Sequence, residues 1–326
     1  MRRFKMTALL AAAAVLLSVF LGGCRAPATA GQEGQHRIFF VVKSTETEFW
    51  KSVFAGANAA RAEYNAELTL YGPDTEEDYD TQNAMIAQAV EEGAEAIVFS
   101  AISYTENAAA IDAAAEAGVR IVVIDSDVDS GQVDVRIGTD NIQAGRITGA
   151  AVLDTDDPSL NVGIINFALG SRNGQEREQG LREVLQGDDR VQEMITVNVA
   201  ATQEAAEEGA RRLLEEHPEI DTLVGLNEPL AVGTGLAVSD GGLTGKVRVI
   251  GFDTNVQCVD MMREGVFSAL IAQNPYAMGY LGVEYAVSLL EGKKYDTESW
   301  VDTSTTIVTP DNMFTPEGQK ALFPFG

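Results

Sequence analysis

The chain has 326 residues, of which 45% are hydrophobic and only 7% aromatic, and its 49 acidic residues outnumber its 23 lysines and arginines. A net charge of −26 without any block of basic residues excludes a nucleic-acid-binding surface, because such surfaces attract phosphates through lysine and arginine. The length allows one large domain or two, each with a substantial hydrophobic core.

The N-terminus has the pattern of a secretion signal. Arg2 and Arg3 belong to a basic start, and an apolar run follows over residues 8–21. That run is too short to cross a bilayer core of about 30 Å comfortably as a helix. We therefore interpret residues 1–23 as a signal peptide that is removed, and we expect the mature protein to be extracytoplasmic.

The end of this signal carries a lipidation pattern. The segment Leu21-Gly22-Gly23-Cys24 resembles the lipobox of bacterial lipoproteins, which implies that Cys24 carries a lipid and becomes the first mature residue. Two acyl chains hold a protein at a membrane stably. Residues 24–35 are small and polar and include glycine and proline, so we expect a lipidated, flexible tether to the outer face of the plasma membrane or in the periplasm.

From His36 onward, short apolar runs alternate with amphipathic stretches, which is typical of βα units with mainly parallel sheets. The predicted strands are Ile38–Val42, Glu67–Tyr71, Ala96–Ser100, Ile121–Ile124, Val162–Asn166, Thr222–Gly225 and Val247–Phe252. The predicted helices of the first half are Phe49–Tyr64, Thr81–Val90 and Ala108–Ala117. The pattern predicts the α/β class.

The same rhythm starts again near the middle of the chain. Val133, Val135 and Ile137 alternate as in a strand, and a new helix is predicted over Ala144–Leu153. Each half then contains about five βα units. We therefore predict two doubly wound parallel-sheet lobes rather than one long sheet.

The sequence motifs that would indicate an enzyme are incomplete or missing. Gly233-Thr234-Gly235 begins a dinucleotide fingerprint but lacks the third glycine, so we interpret it as a site of close helix packing. The two histidines stand far apart in the sequence, so neither a histidine metal pair nor a nucleophile relay is expected. Cys258, the one cysteine besides Cys24, is expected to be buried and unreactive. We expect no catalytic residue, metal or cofactor.

Polar or aromatic residues follow several predicted strands directly. Ligands of open α/β sheets bind at the carboxyl ends of the strands, so these residues are candidates for a binding site. They are Thr47, Phe49, Trp50, Ser100, Asp125, Ser126, Asn227 and Asp253.

Seven segments carry a resemblance to a known family: VVKSTETEFWKSVFAGA, VVIDSDV, IGTDNIQAGR, GQEREQGL, LVGLNEPLAVG, VIGFDTN and LIAQNPYAMG. In this order and at these intervals, the chain resembles the ribose- and galactose-binding branch of the type I periplasmic binding proteins. The resemblance implies two lobes joined by a hinge with three chain crossings. The crossings are expected near Thr139-Asp140, Gln273-Asn274 and Asp302-Thr303, which gives an N-terminal lobe of 36–139 plus 274–302 and a C-terminal lobe of 140–273 plus 303–326.

The resemblance also implies roles for individual residues. Phe49 and Trp50 would face a sugar ring, and Arg177 would donate to ligand oxygens. Asp125 and Asp253 would accept hydrogen bonds from hydroxyls, and Asn227 and Gln273 would both donate and accept. Thr47, Ser100 and Ser126 complete the predicted set of ligand-binding residues.

The residues alone also allow structural roles. Asp125 could cap a helix, Phe49 and Trp50 could be core residues, and Arg177 could pair with a neighbouring glutamate. In addition, the chain departs from the ribose pattern. Ser126 stands where that pattern has arginine, Ser100 where it has asparagine and Glu48 where it has proline, which argues against ribose itself.

The expected function is that of an extracytoplasmic substrate-binding lipoprotein of an ABC importer. It would be a monomer that captures a small sugar or polyol by hinge closure and delivers it to the permease subunits. One alternative is the receptor of a chemotaxis or histidine-kinase system, and another is a nucleoside or other non-sugar ligand. A transcription regulator is excluded, because the signal peptide occupies the place of its DNA-binding module.

Overall fold

The computed structural model describes residues 35–296 and 300–323. The predicted signal peptide, Cys24 and the predicted tether as far as residue 34 lie outside the described residues. Within these residues, every helix is too short or too polar to cross a membrane.

Two six-stranded sheets organise the described residues. The first has the strand order β11-β5-β4-β3-β1-β2 and the second the order β12-β10-β9-β8-β6-β7. The strands are β1 (Arg37–Val41), β2 (Glu67–Tyr71), β3 (Ala96–Phe99), β4 (Arg120–Ile124), β5 (Val135–Gly138), β6 (Leu160–Asn166), β7 (Val191–Asn198), β8 (Thr222–Gly225), β9 (Arg248–Phe252), β10 (Phe267–Ala272), β11 (Trp300–Asp302) and β12 (Thr306–Val308). All adjacent strands run parallel except β10 and β12. The predicted doubly wound α/β class is confirmed.

Helices connect the strands and cover both faces of each sheet. They are α1 (Glu48–Glu63), α2 (Tyr79–Glu91), α3 (Ala108–Glu116), α4 (Asn141–Leu153), α5 (Arg172–Leu185), α6 (Gln203–Glu216), α7 (Glu228–Asp240), α8 (Val256–Arg263), α9 (Pro275–Leu290) and α10 (Pro316–Leu322). Several begin at a residue whose side chain accepts a backbone N–H of the first turn, as Thr47 does for α1 and Asn255 for α8. The four predicted helices correspond to α1–α4, with boundaries that differ by a few residues.

The predicted strands are found, but the prediction lacks β7, β10, β11 and β12. β11 and β12 have only three residues each. β7 is an edge strand whose residues are partly exposed, so it carries no continuous apolar run. β10 is almost fully buried and short, and such runs do not distinguish a strand from a helix by their periodicity.

The cores lie on both faces of each sheet because successive residues of a strand point to opposite faces. In the first sheet, Phe40 and Val98 pack on the side of α1 and α9, whereas Phe39 and Ile97 pack on the side of α2 and α3. The second sheet is likewise covered by two apolar layers. Cys258 belongs to one of them and is a fully buried free thiol, as predicted.

Each sheet with its helices forms one lobe. The N-lobe comprises the first sheet with α1–α3 and α9, and the C-lobe comprises the second sheet with α4–α8 and α10. The chain passes between them after β5, β10 and β11. These connections touch: the Thr139 hydroxyl donates to Gln273 Oε1 at 2.6 Å, and the Thr303 amide donates to the Gly138 carbonyl at 2.9 Å.

Candidate functional site

A narrow cavity lies between the two lobes. Eight of the predicted residues line it: Thr47, Phe49, Trp50, Asp125, Arg177, Asn227, Asp253 and Gln273. The remaining wall residues are Lys43, Glu76, Phe167, Asn173, Glu228 and Pro229.

Asp125 and Asp253 occupy equivalent positions in the two lobes, each directly after a parallel strand. Both have a left-handed backbone, with φ of 57° and 71°. Their amides donate to Ile137 and Ile271 of the adjacent strand at 3.1 and 2.9 Å. Aspartate tolerates this conformation better than most residues, and the turn places each carboxylate in the cavity wall.

Asp125 is held by residues from both lobes. Ser100 of the N-lobe donates its hydroxyl to Oδ2 at 3.0 Å, and Asn173 of the C-lobe donates its amide to Oδ1 at 3.1 Å. Ser100 is fully buried behind Asp125 and does not line the cavity. Ser126 is also buried outside the lining, and its hydroxyl has no hydrogen-bond partner among the described residues.

Arg177 of α5 is fixed from three sides. Its Nε donates to Asn141 Oδ1 and its Nη1 to the Leu226 carbonyl, both at 2.9 Å, and its guanidinium carbon lies 3.9 Å from the ring centroid of Phe252. Within the described part of the chain, Nη2 is buried without a hydrogen bond, 3.8 Å from Asp125 Oδ1. The guanidinium is therefore rigid and keeps one donor nitrogen unused at the cavity wall.

Asp253 belongs to a series of side-chain hydrogen bonds that extends to the hinge. Gln273 donates its amide to Asp253 Oδ1 at 2.6 Å and accepts the Thr139 hydroxyl at the same distance. Burial raises the pKa of Asp253 to about 7, although the Arg177 guanidinium favours the charged form. Near neutral pH this carboxyl group is consequently able to accept a hydrogen bond or, when protonated, to donate one.

Phe49 and Trp50 form the aromatic part of the wall. Their rings meet edge to face, with centroids 5.0 Å apart and planes at 86°. The Trp50 indole N–H donates to Glu76 Oε1 at 2.9 Å, which fixes the ring plane. Both side chains also pack into the N-lobe core, as the structural alternative predicted, and both line the cavity.

Thr47 and Asn227 are helix caps that also reach the cavity. The Thr47 hydroxyl accepts the Trp50 amide at 3.4 Å, and Asn227 Oδ1 accepts the Leu230 amide at 3.0 Å. Over residues 35–296 and 300–323, the side-chain nitrogen of Asn227 makes no hydrogen bond, so its donor capacity is unused.

The sequence prediction missed a buried ion pair in the wall. Lys43 Nζ lies 3.0 Å from Glu76 Oε2, donates to the Ser171 hydroxyl of the C-lobe at 3.3 Å and lies 4.9 Å from the Phe167 ring centroid. Lys43 follows β1 closely, so the rule used for the other strands could have found it. Glu76 lies in a loop with no such signal.

The sequence prediction also missed four other residues of the cavity wall: Phe167, Asn173, Glu228 and Pro229.

Comparison with known proteins shows which family the chain resembles. A family model described as a periplasmic binding protein domain matches residues 38–294. The D-ribose/D-allose-binding protein of Pseudomonas aeruginosa is 27% identical over 84% of this chain and 88% of its own length. The ribose import binding protein of Bacillus subtilis is 23% identical over 82% of this chain and 86% of its own.

Comparison with solved structures points to the same family. A carbohydrate transporter solute-binding protein from Agrobacterium radiobacter, in complex with D-arabinose, has a TM-score of 0.85 and 27% identity and covers 89% of this chain and 99% of its own. An ABC transporter solute-binding protein from Agrobacterium vitis, with bound D-fucose, has a TM-score of 0.84 and 26% identity and covers 88% and 99%. Such proteins bind a substrate and are not enzymes. This chain therefore belongs to the type I periplasmic binding proteins, in the branch of the ribose-binding proteins.

Proposed function

We propose that this protein captures a small, uncharged sugar or polyol in the cavity between its lobes. The observation that carries this proposal is the unused Nη2 of Arg177 beside Asp125. A buried donor without a partner costs about 1–3 kcal/mol. A ligand hydroxyl placed between the two groups would accept from Arg177 and donate to Asp125, which satisfies both.

The other residues of the cavity wall suit the same kind of ligand. Asp253 and Gln273 offer acceptors and donors on one side, and Asn227 offers an amide nitrogen. The aromatic pair Phe49 and Trp50 suits the C–H face of a sugar ring. Lys43 is already paired with Glu76, so no free lysine remains in the described wall for a carboxylated sugar.

The comparisons support this class of ligand. The names of the relatives refer to D-ribose and D-allose, and the similar solved structures hold D-arabinose and D-fucose. We infer that the protein delivers its ligand to the permease subunits of an ABC importer, with the closed form as the recognised shape. Cys24 would keep it at the membrane through a lipid.

A ligand screen tests the proposal. We expect full-length protein to melt at a higher temperature with at least one sugar among D-ribose, D-allose, D-arabinose, D-fucose and a panel of hexoses and inositols, because a bound ligand stabilises the folded state. Nucleosides are included to test the alternative ligand class. Calorimetry with the sugar that binds should show no binding to Asp253→Ala.

Asp260→Ala is the matched control, because Asp260 lies on α8 of the same lobe and its exposed side chain pairs with Arg263. We expect this variant to bind as the parent protein does. Wild-type affinity in Asp253→Ala, or stabilisation by nucleosides alone, would show that the proposed function is wrong.

A further inference from the structure

Glu228 joins the two lobes without any ligand. It is the first residue of α7 in the C-lobe and is only 6% exposed. Its Oε2 accepts the backbone amide of Phe49 at 2.7 Å, and its Oε1 accepts that of Glu48 at 3.3 Å, both at the start of α1 in the N-lobe. Oε1 also accepts the side-chain amide of Asn255 at 3.0 Å.

Three helix N-termini meet at this one carboxylate. α1 contributes two backbone amides, α8 contributes the side chain of its N-cap Asn255, and α7 begins with Glu228 itself. Each N-terminus carries roughly half a positive charge. Closure of the lobes therefore brings the positive end of α1 against those of α7 and α8, and a negative charge between them turns repulsion into attraction.

The start of α1 depends on this contact. The first amides of a helix have no partner within the helix. Thr47 accepts the amide of Trp50, but the amides of Glu48 and Phe49 find their side-chain acceptor only across the cleft. When the lobes separate, these two amides and the carboxylate must return to water.

We propose that Glu228 is a positioning residue that stabilises the closed arrangement of the lobes before any sugar arrives. This inference deepens the proposed function and rests on it, since the closed form is the one that holds the ligand. The protein's own donors use both carboxylate oxygens, so Glu228 acts through α1 and the aromatic pair that α1 carries. Burial raises the pKa of the Glu228 carboxyl group and so opposes its charged form, whereas the hydrogen bonds from Asn255, Phe49 and Glu48 favour the charged form.

The test measures the distance between the lobes. Spin labels are attached to full-length protein at Asn58→Cys on α1 and Glu208→Cys on α6, both exposed positions in different lobes. Without sugar, we expect a measurable population at the short, closed distance. Glu228→Gln should lower the ratio of closed to open molecules about tenfold, which corresponds to about 1.4 kcal/mol.

Glu204→Gln is the matched control, because Glu204 also lies in the first turn of a C-lobe helix but is exposed. This variant should leave the distances unchanged. An unliganded protein that shows only the long distance, or equal distributions in Glu228→Gln and its parent, overturns the inference.

A second variant separates charge from shape. Glu228→Asp keeps the charge but is shorter, whereas glutamine keeps the shape and loses the charge. We expect Glu228→Asp to retain more of the closed population than Glu228→Gln, and the opposite order would show that Glu228 only fills space. If Glu228→Gln does not fold, Glu228→Asp is compared with its parent instead. A closed population equal to that of the parent overturns the inference, because the shorter side chain weakens the hydrogen bonds to the Glu48 and Phe49 amides.

The same samples with D-ribose, D-allose, D-arabinose and D-fucose distinguish the two proposals. If no sugar changes the distances but Glu228→Gln does, the proposed function fails and the role of Glu228 stands. For a sugar that binds, we expect Glu228→Gln to raise the dissociation rate about tenfold and to change the association rate little, because closure follows the encounter.

Discussion

Two aspartates with the same backbone conformation have different surroundings. Asp125 accepts hydrogen bonds from Ser100 and Asn173, while Asp253 accepts one from Gln273, and burial raises the pKa of Asp253 to about 7. Burial of a carboxylate disfavours its charged form, so Asp253 lowers the stability of the ligand-free protein at high pH. Such a conflict between stability and binding is expected at a functional site.

This conflict gives a pH-dependent prediction for Asp253→Asn. The pKa of Asp253 rises from 3.8 to about 7 on folding. Its contribution to the free energy of unfolding is therefore complete below about pH 4 and is lost as the pH rises through about 7. Since asparagine does not titrate, Asp253→Asn should gain stability relative to the parent protein as the pH rises from 5 to about 7, by about 1.4 kcal/mol per pH unit, and change little above that.

Urea unfolding of both ligand-free proteins at pH 5 and pH 8 measures the difference. Asp260→Asn serves as the control, because Asp260 is exposed. The same stability difference for Asp253→Asn at both pH values would contradict the assigned burial effect.

At the scale of helices, glycines let two pairs of helices touch backbone to backbone. A Cβ atom on Gly180 of α5 would lie 2.0 Å from the Ile142 carbonyl oxygen of α4, and one on Gly279 of α9 would lie 1.8 Å from that of Val53 in α1. α5 carries Arg177, and α1 carries the aromatic pair. Close helix packing therefore fixes the elements that place side chains in the cavity.

The Gly233-Thr234-Gly235 segment is a further case. A Cβ atom on Gly233 of α7 would lie 2.3 Å from the Gln203 carbonyl oxygen of α6. The interpretation of this segment as close helix packing is confirmed. The spacing that begins a dinucleotide fingerprint thus arises here from contact between two helix backbones.

We expect Gly180→Ala to destabilise the protein by about 1–3 kcal/mol, because the added methyl group forces α4 and α5 apart. Urea denaturation would show a lower midpoint, and binding of the captured sugar should weaken as Arg177 moves. Gly131→Ala is the control, since a Cβ atom there would meet nothing within 4 Å. Equal midpoints for the two variants would exclude this packing constraint.

At the scale of the whole molecule, the two lobes meet around the cavity at several further points. The Tyr104 amide donates to the Gly170 carbonyl at 2.8 Å, and the Ala201 amide donates to Glu77 Oε1 at 2.7 Å. Lys43 reaches Ser171 across the cleft. Together with Glu228, these contacts define a closed arrangement of the lobes, with the cavity between them.

The location of the whole molecule in the cell gives the last prediction. Cys24→Ser removes the sulfur to which a lipid would be attached, so we expect the variant to leave the membrane fraction while keeping its melting temperature. Cell fractionation with immunoblotting measures this change, and Cys258→Ala should stay with the membrane. A Cys24→Ser protein that remains membrane-bound would refute the lipid anchor.

The sequence by itself determined most of the strands, the first four helices and the class of fold, because apolar periodicity is encoded within a few neighbouring residues. Six of the eight predicted residues in the cavity wall follow predicted strands, and the carboxyl ends of parallel strands meet at one edge of a sheet. Arg177 and Gln273 were predicted only from the family resemblance.

Only the tertiary structure decided how these residues are paired. Ser100 lies behind Asp125 rather than in the wall, Lys43 pairs with Glu76, and Glu228 accepts the amides of α1. These contacts join residues far apart in the sequence. They depend on how the hinge sets one lobe against the other, which no local pattern encodes.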